Sequence, residues 1–252
     1  MRLPAPVALI GLKAYLGHAR TLAWFEGLMD LVGTGLAEGV SIVLAPSATA
    51  LATLAPRARE AGVELAAQDC SVHPSGPFTG ELPANLLAEV GARHVMVGHV
   101  ERRRLGDTDA VVAAKVAAAV AAGLAPVVCV GEPERVDVAT AAQVSVEQLA
   151  AALAAMPAEH PVMVAYEPVW AIGGPQPAPS EHVVGVAGRL RTWLRRYPAA
   201  SLVYGGAAGP GTYREIAGAV DGLGLGRRVH EVSALAEVFE ELRGTGRADR
   251  RF

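Results

Sequence analysis

The 252-residue chain has little cysteine, little lysine and little net charge. Its two cysteines, Cys70 and Cys129, are too few for a disulfide framework and suit a reducing compartment, so a cytoplasmic location is expected. The 22 basic and 25 acidic residues leave a formal charge of −3, so no global field draws the chain to nucleic acid or to an anionic membrane. No run reads as a membrane span: residues 116–130 are uncharged, but the stretch is short, alanine-rich and broken by Gly123 and Pro126. The N-terminal run 3–12, behind Arg2, loosely resembles a secretory leader. Pro4 and Pro6 interrupt it and no small-residue cleavage site follows, so a buried strand is the expectation there. The sequence also lacks linkers, charge blocks and low-complexity tails, which argues for one domain over 1–252. A hydrophobic fraction of 52% excludes a disordered chain and can fill a real core.

Lysine is scarce in a telling way. Of 22 basic residues only Lys13 and Lys115 are lysines, in a chain heavy in alanine, glycine, valine and arginine. Against that background a lysine hints that a compact ammonium is wanted rather than a guanidinium. Lys13 is read so, and Lys115 is read as chance.

Short apolar runs alternate with longer stretches of helical character. The runs are 7–12, 41–45, 64–67, 94–97, 125–130, 162–166, 201–204 and 222–225. Several are continuous instead of alternating, as in strands buried on both faces. Helices are expected over 21–31, 49–61, 85–90, 109–122, 141–155, 181–197, 212–220 and 232–243, with Asp109 and Ser180 as N-caps and Gly62, Gly91, Gly123 and Pro198 as stops. Eight strand–helix units in this length predict an α/β fold, a single-domain (β/α)8 TIM barrel. A doubly wound sheet is the alternative. It is weakened because no G-x-G-x-x-G follows the first run, which reads Gly11-Leu12-Lys13-Ala14-Tyr15.

In such a barrel, chemistry sits where strands end at the C-terminal mouth. Lys13 follows the first run, His99 and Glu101 the fourth, and Glu167 the sixth. Each alone could be a solvated rim residue. Together they are charges that closure of a barrel would gather at one mouth.

Two segments carry a family resemblance. Val97-Gly98-His99-Val100-Glu101-Arg102-Arg103 and Ala165-Tyr166-Glu167-Pro168-Val169-Trp170-Ala171-Ile172-Gly173 closely resemble the signature segments of the triosephosphate isomerase family. Supporting stretches follow in order: Lys13, Phe78-Thr79-Gly80-Glu81, Cys129-Val130-Gly131-Glu132 and Tyr204-Gly205-Gly206. The resemblance implies an aldose–ketose isomerase that interconverts dihydroxyacetone phosphate and glyceraldehyde 3-phosphate through an enediolate. It implies Glu167 as the base, made more basic by desolvation, and neutral His99 as the group that polarises the carbonyl and shuttles a proton between oxygens. Lys13 would stabilise the developing charge and the phosphate, a contribution of roughly 3 kcal/mol or more, and Glu101 would hold Lys13 in place. Trp170 would anchor a lid that follows Glu167, with Gly173 at its tip closing on phosphate and excluding water. Gly205, Gly206 and Ala207, then Gly226 and Arg227, would hold the phosphate, largely through backbone amides. Cys129 reads as a small apolar packing group, and Arg102 and Arg103 as structural or interface charges. No organic cofactor or metal is implied, and the seven histidines show no metal-ligand spacing.

The pattern departs from the family at five places. Gly11 replaces an asparagine beside the lysine, Val100 replaces a serine after the histidine, and Gly174-Pro175-Gln176-Pro177 replaces Thr-Gly-Lys-Thr at the far end of the lid. Ala207 replaces a serine that latches the lid, and Arg227 replaces the second glycine of a phosphate-binding pair. Each lost hydroxyl removes a hydrogen bond of roughly 1 kcal/mol. Arg227 either adds a guanidinium for phosphate or fills its space. The base, the imidazole and the lysine are intact while the rim is altered. Three readings follow: a triosephosphate isomerase, an isomerase of a related small ketose phosphate such as a tetrulose phosphate, or a catalytically weak barrel that binds phosphorylated metabolites. The long connection 70–83, with Thr79 near its end, resembles the loop through which the family forms homodimers.

Overall fold

Every one of the eight apolar runs becomes a parallel strand in the computed structural model, which describes residues 3–248. They are β1 (Val7–Gly11), β2 (Ser41–Ala45), β3 (Glu64–Ala67), β4 (Ala92–Val97), β5 (Ala125–Val130), β6 (Val162–Tyr166), β7 (Ala200–Ala208) and β8 (Gly222–Leu225). The strands pair in chain order and β1 closes on β8, so the sheet is a closed barrel and the doubly wound alternative falls. The connections carry α1 (His18–Gly33), α2 (Leu51–Glu60), α3 (Ala84–Glu89), α4 (Val100–Arg103), α5 (Asp109–Ala121), α6 (Val138–Ala152), α7 (Ser180–Leu194), α8 (Thr212–Ile216) and α9 (Val232–Ala248). None of the described helices is long and apolar enough to cross a membrane.

The alternation of side chains along a strand divides the core in two. Val7 and Leu9 point into the barrel with Val43, Ala45, Ala66, Met96, Val127, Cys129, Met163, Ala165 and Val203. Their neighbours Ala8 and Ile10 pack outward against the helices, with Phe25, Leu51, Val116, Leu149, Val186 and Phe239. Both faces are dry, which is why these strands read as unbroken apolar runs. The interior narrows at β8: a Cβ on Gly222 would stand 1.9 Å from the Val7 carbonyl oxygen, so only glycine lets the first and last strands close.

Boundaries depart from the sequence reading where local chemistry intervenes. The α5 cap is Thr108, whose Oγ1 accepts the Val111 N–H at 3.3 Å; Asp109 is the first helical residue. α7 begins at Ser180 itself, behind Pro179, and α6 begins early because Asp137 accepts the Ala139 and Thr140 N–H groups. α8 stops at Ile216, short of 220, because Ala217 bridges Val220 and Gly218 takes φ +83°. β7 runs on to Ala208 across a register shift, beyond the expected 204.

Lys115 is not a chance lysine. It is 4% exposed, and its Nζ donates to both oxygens of Asp69 at 2.7 and 2.9 Å and to Asp107 at 2.6 Å. Arg102 Nε pairs with Asp69 at 2.8 Å. The cluster ties α5 to the loops after β3 and α4, where three donors on one compact ammonium satisfy two carboxylates.

Candidate active site

β1, β4 and β6 bring Lys13, His99, Glu101 and Glu167 to one mouth of the barrel. Lys13 Nζ donates to Glu101 Oε1 at 2.7 Å. The Glu101 N–H donates to His99 Nδ1 at 3.1 Å, and His99 Nε2 lies 3.5 Å from Glu167 Oε2. A ring nitrogen that accepts a backbone N–H carries no proton of its own. The neutral tautomer therefore has its hydrogen on Nε2, which faces the mouth. The short helix α4, capped by His99, fixes the ring by that bond.

Glu167 directly follows the entirely buried β6, and its own N–H donates to the Val130 carbonyl at 2.7 Å. The residue is 9% exposed and its Oε2 has no hydrogen-bond partner. Burial pushes its carboxyl above the usual range, partly offset by the nearby His99 and Lys13. Glu101 behaves oppositely. Burial works against its charge, but the hydrogen bond and charge of Lys13 outweigh this and hold its carboxyl low. Two carboxyls at one mouth are thus driven apart, one toward basicity and one toward a fixed anion. A Cβ on Gly205 would lie 2.7 Å from Glu167 Oε1, so β7 must present glycine for the carboxylate to lie there.

Lys13 has φ +51°, a left-handed conformation costing about 1–2 kcal/mol for a residue with a Cβ. Gln68 holds the turn by donating to the carbonyls of Lys13 and Ala45, both at 3.0 Å. Beside Glu167 lies a cavity of about 460 Å³, lined by Gly98, Val100, Cys129, Gly131 and Val169 among others. Val100 offers no donor there, consistent with the carboxylate's unpartnered oxygen. Burial pushes the thiol of Cys129 far up and that of Cys70 to about 12, so neither is a thiolate at neutral pH.

The segment after Glu167 is held at both ends. Trp170 Nε1 donates to Glu132 Oε1 at 2.8 Å. At the other end the Ala178 N–H donates to Tyr204 Oη at 2.8 Å, and Tyr204 donates to the Gly206 carbonyl at 2.6 Å. Arg228 donates to the Pro175 carbonyl between them. Gly173 is exposed, with φ +76°. Gly205, Gly206 and Ala207 occupy the register shift at the end of β7, and Ala207 takes φ +55°. Gly226 follows β8 on the neighbouring strand, so both segments reach the same rim. Arg227 is exposed, and the guanidinium that reaches the segment after Glu167 belongs to Arg228.

The family model for triosephosphate isomerase matches residues 6–242. The chain belongs to the triosephosphate isomerase family. An L-erythrulose-1-phosphate isomerase of Pectobacterium atrosepticum is 38% identical over 92% of this chain and 93% of its own. A triosephosphate isomerase of Ruegeria is 40% identical over 79% of this chain and 84% of its own. The crystal structure of a triosephosphate isomerase from Bartonella henselae superposes with a TM-score of 0.77 at 27% identity, covering 97% of this chain and all of that one. Membership makes the chain an isomerase and leaves its sugar open.

Several residues that shape this site carry no signal of it in the sequence. Gln68, His182 and Arg228 lie outside every quoted motif, and Tyr204 stood in one without a function, yet it accepts the Ala178 N–H. Glu132 stood in a quoted motif without a function, yet it is the acceptor for Trp170. Gln68 and Arg228 act through backbone carbonyls, which no side-chain pattern announces.

Proposed function

We propose that the chain moves the carbonyl of a small phosphorylated ketose by one carbon, with a four-carbon tetrulose phosphate preferred over triose phosphate. The observation that carries the reading is the array at the mouth. A buried carboxylate with an unpartnered oxygen faces an imidazole Nε2–H, with an ammonium held alongside by Glu101. Glu167 takes a proton from the carbon next to the carbonyl, and the electron pair moves onto the carbonyl oxygen. His99 gives that oxygen its Nε2 proton and takes one from the neighbouring hydroxyl. Lys13 offsets the charge of the enediolate. Glu167 returns its proton to the former carbonyl carbon, which takes it on the C=C electron pair while the deprotonated oxygen forms the new carbonyl; one carbon is oxidised as the other is reduced, so atoms and electrons balance.

The four-carbon preference rests on room at the rim. Gly11 ends β1 in ordinary extended backbone, so its backbone does not demand glycine. A Cβ there would meet only the Leu225 carbonyl oxygen, at 3.9 Å. The missing side chain leaves space beside Lys13 for a further hydroxymethyl group. The extent of the match to a relative named for erythrulose phosphate supports the same substrate.

Gly173 at the lid tip, Gly205, Gly206 and Ala207, then Gly226 with Arg227, would hold the phosphate. A homodimer through 70–83 fits that loop's form. Ser71 N–H closes its base on the Leu82 carbonyl, His73 stacks on Phe78 at 4.1 Å, and Leu82, with Leu86 on the adjoining α3, remains exposed, at 48% and 46%. Two buried free thiols suit a cytoplasmic setting.

Turnover on tetrulose phosphates and on dihydroxyacetone phosphate tests the proposal. The expected result is a higher kcat/KM on a tetrulose phosphate. A higher value on dihydroxyacetone phosphate favours the triose reading, and turnover of neither favours a binding barrel.

A further inference from the structure

The lid's two ends meet at one oxygen atom. Glu132, on the loop after β5, is 1% exposed. Its Oε1 receives Trp170 Nε1 at 2.8 Å and His182 Nε2 at 2.9 Å, while Tyr166 Oη reaches its two oxygens at 3.2 and 3.1 Å. Trp170 belongs to the first end of the lid. His182 sits in the first turn of α7, just past Ala178, where the lid ends. The imidazole meets the indole edge-on, with centroids 5.6 Å apart at 77°, and Arg135 lies over the indole at 5.5 Å from its centroid.

We propose that His182 is a positioning residue that couples the two ends of the lid through Glu132. The inference rests on the isomerase reading given above. A buried carboxylate oxygen needs donors continuously, because an unpaired buried charge is expensive. When the lid opens and Trp170 leaves, His182 keeps Oε1 satisfied and holds the Glu132 carboxylate in one orientation. The closing indole then returns to a fixed acceptor. Without His182, Oε1 loses a donor, the carboxylate reorients with each opening, and the lid shuts less completely over the enediolate. An incompletely covered enediolate decomposes: its electron pair expels the phosphate ester oxygen, the C–O bond breaks and inorganic phosphate departs.

Two variants test this. His182→Leu removes the donor, and His182→Gln restores an N–H at similar reach. The readouts are the ratio of phosphate released to ketose isomerised, and the fluorine NMR signal of 5-fluorotryptophan at position 170. The expected result for His182→Leu is a rise in that ratio of about fivefold, which is what the loss of ~1 kcal/mol of lid closure converts to. The fluorine signal shifts or broadens as well, and His182→Gln returns both toward the starting protein. A merely structural role lowers melting temperature and active fraction alike in both variants and leaves the ratio unmoved. An unchanged ratio with an unchanged fluorine signal in His182→Leu overturns the proposal. If the unsubstituted protein isomerises no phosphorylated ketose, the isomerase reading fails. The fluorine signal then decides the coupling alone: movement in His182→Leu supports it, and constancy overturns it.

Discussion

Glu167 is asked to be buried and basic at once, and the two demands are one. Removing water from the carboxylate disfavours its charge, so the group holds a proton more tightly, which is what the proposed abstraction of a proton from carbon requires. The same burial weakens the fold at neutral pH. A carboxyl raised on folding favours the folded state most below the ordinary carboxylate range, and that advantage is lost as pH rises through the raised value. Glu167→Gln removes the titration while keeping the shape. The variant melts above the parent at pH 7.5, with a gap that narrows toward acid, and its turnover falls by about 10²- to 10⁴-fold. Thermal melts at several pH values check this, and a gap that does not depend on pH contradicts it. At the opposite rim, Gly11→Asn fills the space beside Lys13. Its kcat/KM on tetrulose phosphate falls relative to triose phosphate by about tenfold, in keeping with the discrimination a pocket gains from one small group. Parallel kinetics on the two substrates measure that ratio.

That Lys13, His99, Glu101 and Glu167 share one mouth was legible because each follows the end of an apolar run and a barrel places such ends together; the roles proposed for them rest on the resemblance of the two signature segments. The tautomer of His99 was not legible. It depends on the Glu101 N–H, which a four-residue helix aims at Nδ1. Lys115 misled for a related reason. It lies in an alanine-rich helix, and the carboxylates of Asp69 and Asp107 that explain it come from other loops.

At the scale of elements, the strands were legible to within a residue or two because burial on both faces leaves an unbroken apolar signature. Helix starts were less so, since Thr108 and Asp137 compete with near neighbours for the cap. The end of β7 was hidden by its register shift, and that irregular stretch carries Gly205, Gly206 and Ala207. Loops draw their order from partners distant in sequence. Lys115 joins three elements, and Lys115→Met leaves Asp69 and Asp107 buried without their shared ammonium. The expected loss is about 3–5 kcal/mol of unfolding free energy, measured by urea titration. A loss under about 1 kcal/mol, the size of an exposed ion pair, contradicts the role given to the cluster.

For the molecule as a whole, the barrel supplies rigidity and the loops supply chemistry. Residues at the ends of β1, β4 and β6 are set by a closed sheet, while the segment after Glu167 and the long loop after β3 stand outside it. The exposed apolar side chains of Leu82 on that loop and of Leu86 on α3 just beyond it favour association. Light scattering is expected to give twice the chain mass of 25.9 kDa, and a monomer mass at micromolar concentration contradicts the dimer. The central claim concerns one proton on one carbon. Incubation of the protein with a tetrulose phosphate in deuterium oxide reads it directly by proton NMR. Loss of the signal from the hydrogen next to the carbonyl, abolished by Glu167→Gln, is the predicted result; a signal that persists with the unsubstituted protein, for tetrulose and triose phosphates alike, contradicts the account.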